Sequence, residues 1–229
     1  MREGRAMMIA ASAPTCPEPP PATPSSASSK RDIPLNAVQW ALFSALVAAP
    51  PRDNPQLRAF LSARRDDAEP APLTQSDDIE GFCCGVRLLD ETLARDASEA
   101  SGSSDEFGRH TFVLLREERV VAYYSQRLRR MRRASAELDG DAVAIMQLQR
   151  LAVDRAEQGR GVGSTMLRAA ILRALMIGER CGARALCVHA LSPQLKRFYL
   201  ERGFRPMPGV IDPLGVVLTL DDVRNAAAS

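Results

Sequence analysis

The sequence predicts an α/β fold of the α+β kind: a mixed central sheet with helices on both faces. Three observations carry that reading. Thr111–Leu115 and Arg119–Ser125 are rich in β-branched and aromatic residues and are joined by Glu117-Glu118, the pattern of a hairpin. Ala142–Val153 is a longer apolar run, suited to a third strand. Beyond it, helix and strand patterns alternate, which requires helices packed on a sheet.

Taken in order, the first 71 residues differ from the rest. Met1–Ala13 has arginines and a short apolar run ending Ala-Ser-Ala, a faint echo of a leader that is too short and runs into prolines. Pro14–Ser29 has too little apolar surface to offset its ordering entropy and is expected to be disordered. Ala37–Ala49 is apolar but too short to cross a bilayer, so a docked helix near 36–49 is expected. Pro50-Pro51 ends it, and Arg52–Pro72 reads as a charged linker. The main domain is expected over residues 72–224.

Within it, Cys84–Ala97 places Val86, Leu89, Leu93 and Ala97 on one helical face. Ala97–Gly108 reads as a mobile loop. Leu167, Ala170, Ile171, Ala174, Leu175 and Gly178 trace the inner face of a later helix, which Gly182 should end. Arg184–Ala190 reads as a short buried strand. Ser192-Pro193 suits the start of a helix closed by Gly203, and Val216–Leu220 supplies a last strand.

The net charge of +2 supplies no global field that would require a nucleic-acid partner. Five cysteines, at 16, 83, 84, 181 and 187, show no zinc spacing, and their odd number argues for reduced thiols in the cytoplasm. With only His110 and His189, no metal cluster can be assembled from obvious ligands, so no metal is expected. His189 is expected to be a strand histidine hydrogen-bonded near the cleft, not a catalyst.

The most informative stretch is Gln149–Ser164. It reads as a strand stopping at Asp154, a glycine-rich turn over Gln158–Gly163 and a helix from Ser164. Such a unit aims backbone N–H groups and the positive end of a helix dipole at one point, suited to a pyrophosphate. The spacing Gln158-x-x-Gly161-x-Gly163 is neither the Walker pattern nor the dinucleotide fingerprint. It is similar to the acyl-CoA motif Q/R-x-x-G-x-G/A of the GNAT N-acetyltransferases. Four further segments resemble the TacT-type toxins of toxin–antitoxin systems: Phe82–Asp90 (F-x-C-G-x-x-x-L-D), Val120–Ser125, Arg150–Arg155 (R-L-A-V-D-R), and Leu186–Ala190 followed by Arg197–Phe204 (F-Y-x-x-x-G-F). The match runs from about residue 72 to 221. The N-terminal extension has no counterpart in the family, and Gln149 stands where a small residue is usual.

The resemblance implies a GNAT acyl-CoA N-acyltransferase fold, splayed at the cofactor site, with acetyl-CoA as acetyl donor. It implies cofactor binding by Leu151, Ala152, Val153, Gln158, Gly159, Arg160, Gly161, Val162, Gly163 and Ser164, largely through backbone groups. It makes Tyr199 the general acid and the Val153 N–H a donor to the thioester oxygen; by pattern alone Tyr199 is an ordinary core tyrosine. Arg127, Arg129, Arg130 and Arg150, with Arg132 and Arg133, offer either a basic surface for RNA or a solvated loop. The implied function is a cytoplasmic toxin that acetylates the amino group of aminoacyl-tRNA and blocks translation, with a ribbon-helix-helix antitoxin, a homodimer and no membrane association. The alternatives are acetylation of a protein N-terminus or small amine, or a non-catalytic acyl-CoA-binding module.

Overall fold

The computed structural model describes residues 32–63, 69–100, 109–134 and 142–228. The disorder expected of Pro14–Ser29, the faint leader and most of the loop expected over Ala97–Gly108 lie outside those residues.

In chain order the elements are β1 (Asp32–Leu35), α1 (Ala37–Ala48), α2 (Pro55–Ser62), β2 (Ala71–Pro72), α3 (Arg87–Ser98), β3 (Arg109–Arg116) and β4 (Arg119–Arg133). Then come β5 (Ala142–Val153), α4 (Val162–Cys181), β6 (Ala185–His189), α5 (Pro193–Leu200), β7 (Arg205–Pro206), β8 (Gly215–Thr219) and α6 (Leu220–Ala227). The sheet order is β2-β3-β4-β5-β6-β8-β7, with β1 paired to β4 beyond the end of β3. The β5–β6 and β1–β4 pairs are parallel and the others antiparallel, so the sheet is mixed.

The hairpin forms at Glu117-Glu118, whose φ values of 49° and 64° give the primed turn that matches strand twist. β4 continues through the arginine run that sequence left open as a solvated loop. Leu128 packs in the core on one face and Met131 on the other, which holds Arg127–Arg133 in an extended strand.

On one face of the sheet, α4 buries Met166, Leu167, Ala170, Ile171 and Ala174 against Tyr124, Met146, Leu148 and Leu186. On the other face are two separate clusters. One joins Leu93 and Ala97 of α3 to Val113, Tyr123 and Ala152; the other joins Phe43 and Val47 of α1 to Met131, Ile145 and Cys187. α4 starts at Val162, two residues before the expected Ser164, because Gly161 turns the chain at φ 87° as N-cap. Gly182, at φ 70°, ends it. In α3 the expected inner face shifts: Val86 is the N-cap and 43% exposed, while Leu93, Asp96 and Ala97 face inward.

Residues 32–62, read from sequence as an appendage and linker, are built into this architecture. Asn36 and Gln39 form a reciprocal capping box that starts α1. Asn54 caps α2 and also donates to the Gly203 carbonyl at 2.9 Å, seating fully buried Leu57 in the main core. The compact unit runs from Arg31 to Ser229.

Candidate active site

The site begins with a defect in the sheet. Ser125 pairs with Arg150 and Gln126 with Leu148, so Gln149 is an extra residue on β5. A bulge of this kind bends its strand and increases its twist. The parallel β5–β6 pairing ends at that point, its last pair being Leu148–Val188. From Gln149 to Val153, β5 therefore keeps β4 on one side and loses β6 on the other.

The direction of the released groups is set by strand alternation. Asp154 N–H donates to the Val121 carbonyl at 2.9 Å, so Asp154 and Ala152 make the ladder bonds to β4. Leu151 and Val153, one position out of phase, turn their N–H and C=O groups away from β4 toward the split. The Val153 carbonyl accepts the Gln158 side-chain amide at 2.9 Å.

Asp154 fixes the path of the chain as it leaves β5. Its buried carboxylate accepts the amides of Cys83 and Ala156 and the guanidinium of Arg119. Burial alone would raise its pKa, but these donors together outweigh burial and hold the carboxyl below its ordinary range. Gln158 Nε2 also donates to the Cys84 carbonyl at 2.9 Å, which ties the segment before α3 to the turn. Gly161 has no side-chain cap, and the Val162 and Gly163 amides belong to the first helical turn, where no intrahelical acceptor exists. A Cβ at Gly163 would meet only Val153 Cγ2 at 3.7 Å and Leu151 Cδ2 at 4.0 Å. The fold itself therefore tolerates a side chain at Gly163, and its absence widens the space in front of the amides.

These elements enclose a cleft of about 490 Å³. Of the residues expected at the cofactor site, Leu151, Val153, Gln158, Gly159, Gly161, Gly163 and Ser164 line it, and Tyr199 lines it with them. Ala152 packs into the cluster on the opposite face, Val162 is fully buried, and Arg160 is exposed with its guanidinium 3.5 Å from Glu157. Glu157, Leu195, Phe198 and Arg202 also line the cleft and were missed in the sequence. A signal existed for three of them: Leu195, Phe198, Tyr199 and Arg202 recur at the spacing of one helical face.

Tyr199 is 7% exposed and makes edge-on contacts with Phe198 and Phe204, at centroid distances of 5.2 and 5.5 Å. Burial pushes its phenol up to about 12, partly offset by Arg202. It is thus a core tyrosine that also borders the cleft.

The arginines divide by strand alternation. Arg127, Arg129 and Arg150 share the face opposite α4, between the α1 and α3 clusters. There Ser125 Oγ, Arg127 Nε, Gln147 Oε1 and Arg150 Nη1 are buried without a hydrogen-bond partner among the described residues. Burial and the neighbouring Arg127 lower the pKa of Arg129. Arg130 projects to the other face, where its Nε and Arg132 Nη1 meet Asp32 at 2.9 and 3.2 Å. His189 stands one residue beyond the last β5–β6 pair, its Nδ1 2.7 Å from Asp212 Oδ2. Among the described residues no group of three or more His, Cys, Asp or Glu could hold a metal ion, and no helix is long and apolar enough to cross a membrane.

The family described as acetyltransferase (GNAT) domain matches residues 108–206, which take in β3 to β7 and hence the split, the turn and Tyr199. A tRNA-acetylating toxin of Mycobacterium tuberculosis (strain ATCC 25618 / H37Rv) is 36% identical over 162 residues, covering 68% of this chain and 93% of the toxin. The chain belongs to the GNAT acetyltransferases. Two solved structures of the toxin AtaT share its fold. AtaT complexed with acetyl-methionyl-tRNAfMet is 22% identical with a TM-score of 0.57, covering 68% of this chain and 96% of AtaT. A mutant of AtaT bound to the C-terminus of the antitoxin AtaR and acetyl-CoA is 23% identical with a TM-score of 0.58, covering 72% and 100%. About three-tenths of this GNAT chain lies outside the shared fold.

Proposed function

We propose that the protein transfers the acetyl group of acetyl-CoA to the α-amino group of an aminoacyl-tRNA, and so blocks translation as the toxin of a toxin–antitoxin pair. The observation that carries the chemistry is the convergence of three features on one cleft. These are the off-ladder amides of Leu151 and Val153, the uncapped start of α4, and the phenol of Tyr199. The name of the 36% identical relative supports the choice of acceptor.

The residues fit the donor. The Val162 and Gly163 amides suit a diphosphate, and the bare Gly163 leaves room for its close approach. Leu151 offers its N–H and C=O, and Val153 its N–H, to an extended amide-bearing arm as a missing strand would receive them, while Gln158 takes the Val153 carbonyl. When bound, acetyl-CoA supplies an activated acyl group on a sulfur leaving group. The Val153 N–H points into the split, where it can donate to the carbonyl oxygen as that oxygen gains charge; such a donor is worth roughly 3 kcal/mol. Tyr199, protonated at neutral pH, would give its proton to the departing sulfur and be restored by the proton that the acylated nitrogen sheds. An α-amino group has an ordinary pKa of about 8 and esterification of its carboxyl lowers it, so no dedicated base is required.

Arg127, Arg129 and Arg150 form the acceptor-side surface for RNA phosphates, while Arg130 serves the fold through Asp32. The antitoxin seen with AtaT supports an antitoxin partner here. We assign that partner to the ribbon-helix-helix class, the protein to a homodimer, and its action to the cytoplasm. The domain boundary at residue 72 marks where the shared catalytic domain begins, with residues 32–62 packed on it.

Incubation of the full chain with bulk charged tRNA and labelled acetyl-CoA tests the assignment. Label on the α-amino group of the esterified amino acid is expected. Turnover confined to small amines, or coenzyme binding without turnover, would replace it with one of the alternative functions.

A further inference from the structure

Arg202 sits just past α5 and borders the cleft together with Gly161, Gly163 and Ser164. Its Nη1 donates to the Phe198 carbonyl at 2.6 Å, its Nη2 donates to Ser164 Oγ at 3.1 Å, and its guanidinium carbon lies 3.7 Å from the centroid of the Phe198 ring. Ser164 belongs to the first turn of α4. The cation is therefore held against the positive end of that helix dipole, an arrangement that favours an anion between them.

A second group stands behind it. Phe60 of α2 lies 5.7 Å from the Arg202 guanidinium, in the segment that sequence set outside the domain. Arg168 of α4 also holds Phe60, with Nε donating to the Phe60 carbonyl at 3.1 Å and its guanidinium 5.5 Å from the ring centroid. Asn54 at the start of α2 holds the Gly203 carbonyl, next in the chain to Arg202. Helix α2 thus braces the Arg202 segment at two points.

We propose that Arg202 binds a phosphate of the coenzyme, either the diphosphate or the ribose 3′-phosphate, and that Phe60 is its positioning residue. This rests on the acetyl-CoA reading above. A planar guanidinium already stacked on an aromatic ring gives up little conformational freedom when it pairs with a phosphate. The N-terminal segment would then contribute to donor affinity without touching the reacting atoms.

Calorimetric titration of the full chain and of Arg202→Met, Arg202→Lys and Phe60→Ala with CoA and with dephospho-CoA tests this. Removal of a charge-assisted phosphate interaction in Arg202→Met should weaken CoA by about tenfold or more. Arg202→Lys should recover part of the loss, and Phe60→Ala should lose about threefold, recovered by Phe60→Tyr. If the 3′-phosphate is the partner, the Arg202→Met penalty disappears with dephospho-CoA; if the diphosphate is, the penalty is the same for both. Either result supports the proposal. CoA affinity unchanged within about twofold in Arg202→Met would overturn it. So would an equal rise in KM for acetyl-pantetheine, which has no phosphate, since the residue would then serve only to join α5 to α4. A full chain that binds no CoA at all would overturn the acetyl-CoA reading itself.

Discussion

The open edge of β5 and the face of the β4–β5 ladder opposite α4 show opposite ways of building a binding surface from the same strands. At the open edge, recognition is assigned to backbone groups: the amides of Leu151 and Val153, released by the bulge at Gln149, and those of the uncapped start of α4. On the other side it is assigned to side chains, with Arg127, Arg129 and Arg150 beside unsatisfied Ser125 and Gln147. A backbone site is set by geometry and changes only when the chain path or the one reacting side chain changes. A side-chain site is set by charge and should respond to salt and to each substitution.

The largest expected effect probes the one reacting side chain. Tyr199→Phe should lower kcat by about 10²- to 10⁴-fold while acetyl-CoA affinity stays within about twofold. A parallel loss of affinity would mean that the phenol holds the cleft together and does not donate a proton.

Gly161→Val should come next, because φ 87° is a left-handed conformation that a β-branched residue reaches only at a cost of about 1–2 kcal/mol. Coenzyme affinity should fall by about tenfold or more as the N–H cluster moves. Gly163→Ala, where a methyl meets only ordinary contacts, should leave thermal stability almost unchanged. An equal loss of thermal stability from both substitutions would contradict the backbone account.

On the arginine side, Arg127→Glu, Arg129→Glu and Arg150→Glu should each weaken tRNA binding and flatten its dependence on salt by nearly one counterion for each phosphate released, leaving acetyl-CoA affinity unchanged. Arg130→Glu is the internal control. Its face differs and Asp32 already holds it, so tRNA affinity should change least there. The same loss at Arg130 would erase the division into faces. Asp32→Asn weakens two ion pairs, to the partly exposed Arg130 and Arg132, and should cost about 1 kcal/mol in chemical denaturation.

The tyrosines give a prediction with pH. Burial raises all three phenols above the ordinary value of 10.0, Tyr124 and Tyr199 to about 12 and Tyr123 further. Groups whose folded pKa is raised stabilise the fold fully below the unfolded pKa and lose that contribution as pH rises through the folded one. Ultraviolet titration should show no phenolate below about pH 10, followed by ionisation together with unfolding. A tyrosine titrating near 10 in the folded protein would mean an exposed phenol.

Much of this was legible because it repeats. The hairpin, β5, the inner face of α4 and the start of α5 each come from period and capping residues, and Gln158-x-x-Gly161-x-Gly163 marks the turn directly. The features that were not legible depend on distant partners. The bulge at Gln149 is visible only once Ser125 pairs with Arg150 and Gln126 with Leu148. Arg130 could not be separated from Arg129 until β4 proved to be a strand through the run and Asp32 was in place opposite it. Helix α2 was hidden by the charged residues that flank it and by its shortness, with only Leu57 fully buried, and Asn54 caps it while reaching Gly203. Arg202 lies on the same helical face as Tyr199, but its role depends on Ser164 and Phe60, which are remote in the chain.

The central claim is that released backbone amides place the donor beside Tyr199. A crystal structure of the protein with acetyl-CoA tests it most directly. The account predicts the diphosphate at the Val162 and Gly163 amides, the thioester oxygen within hydrogen-bond reach of the Val153 N–H, and the sulfur within reach of Tyr199 Oη. A coenzyme bound elsewhere, or a Tyr199 hydroxyl turned from the sulfur, would contradict it.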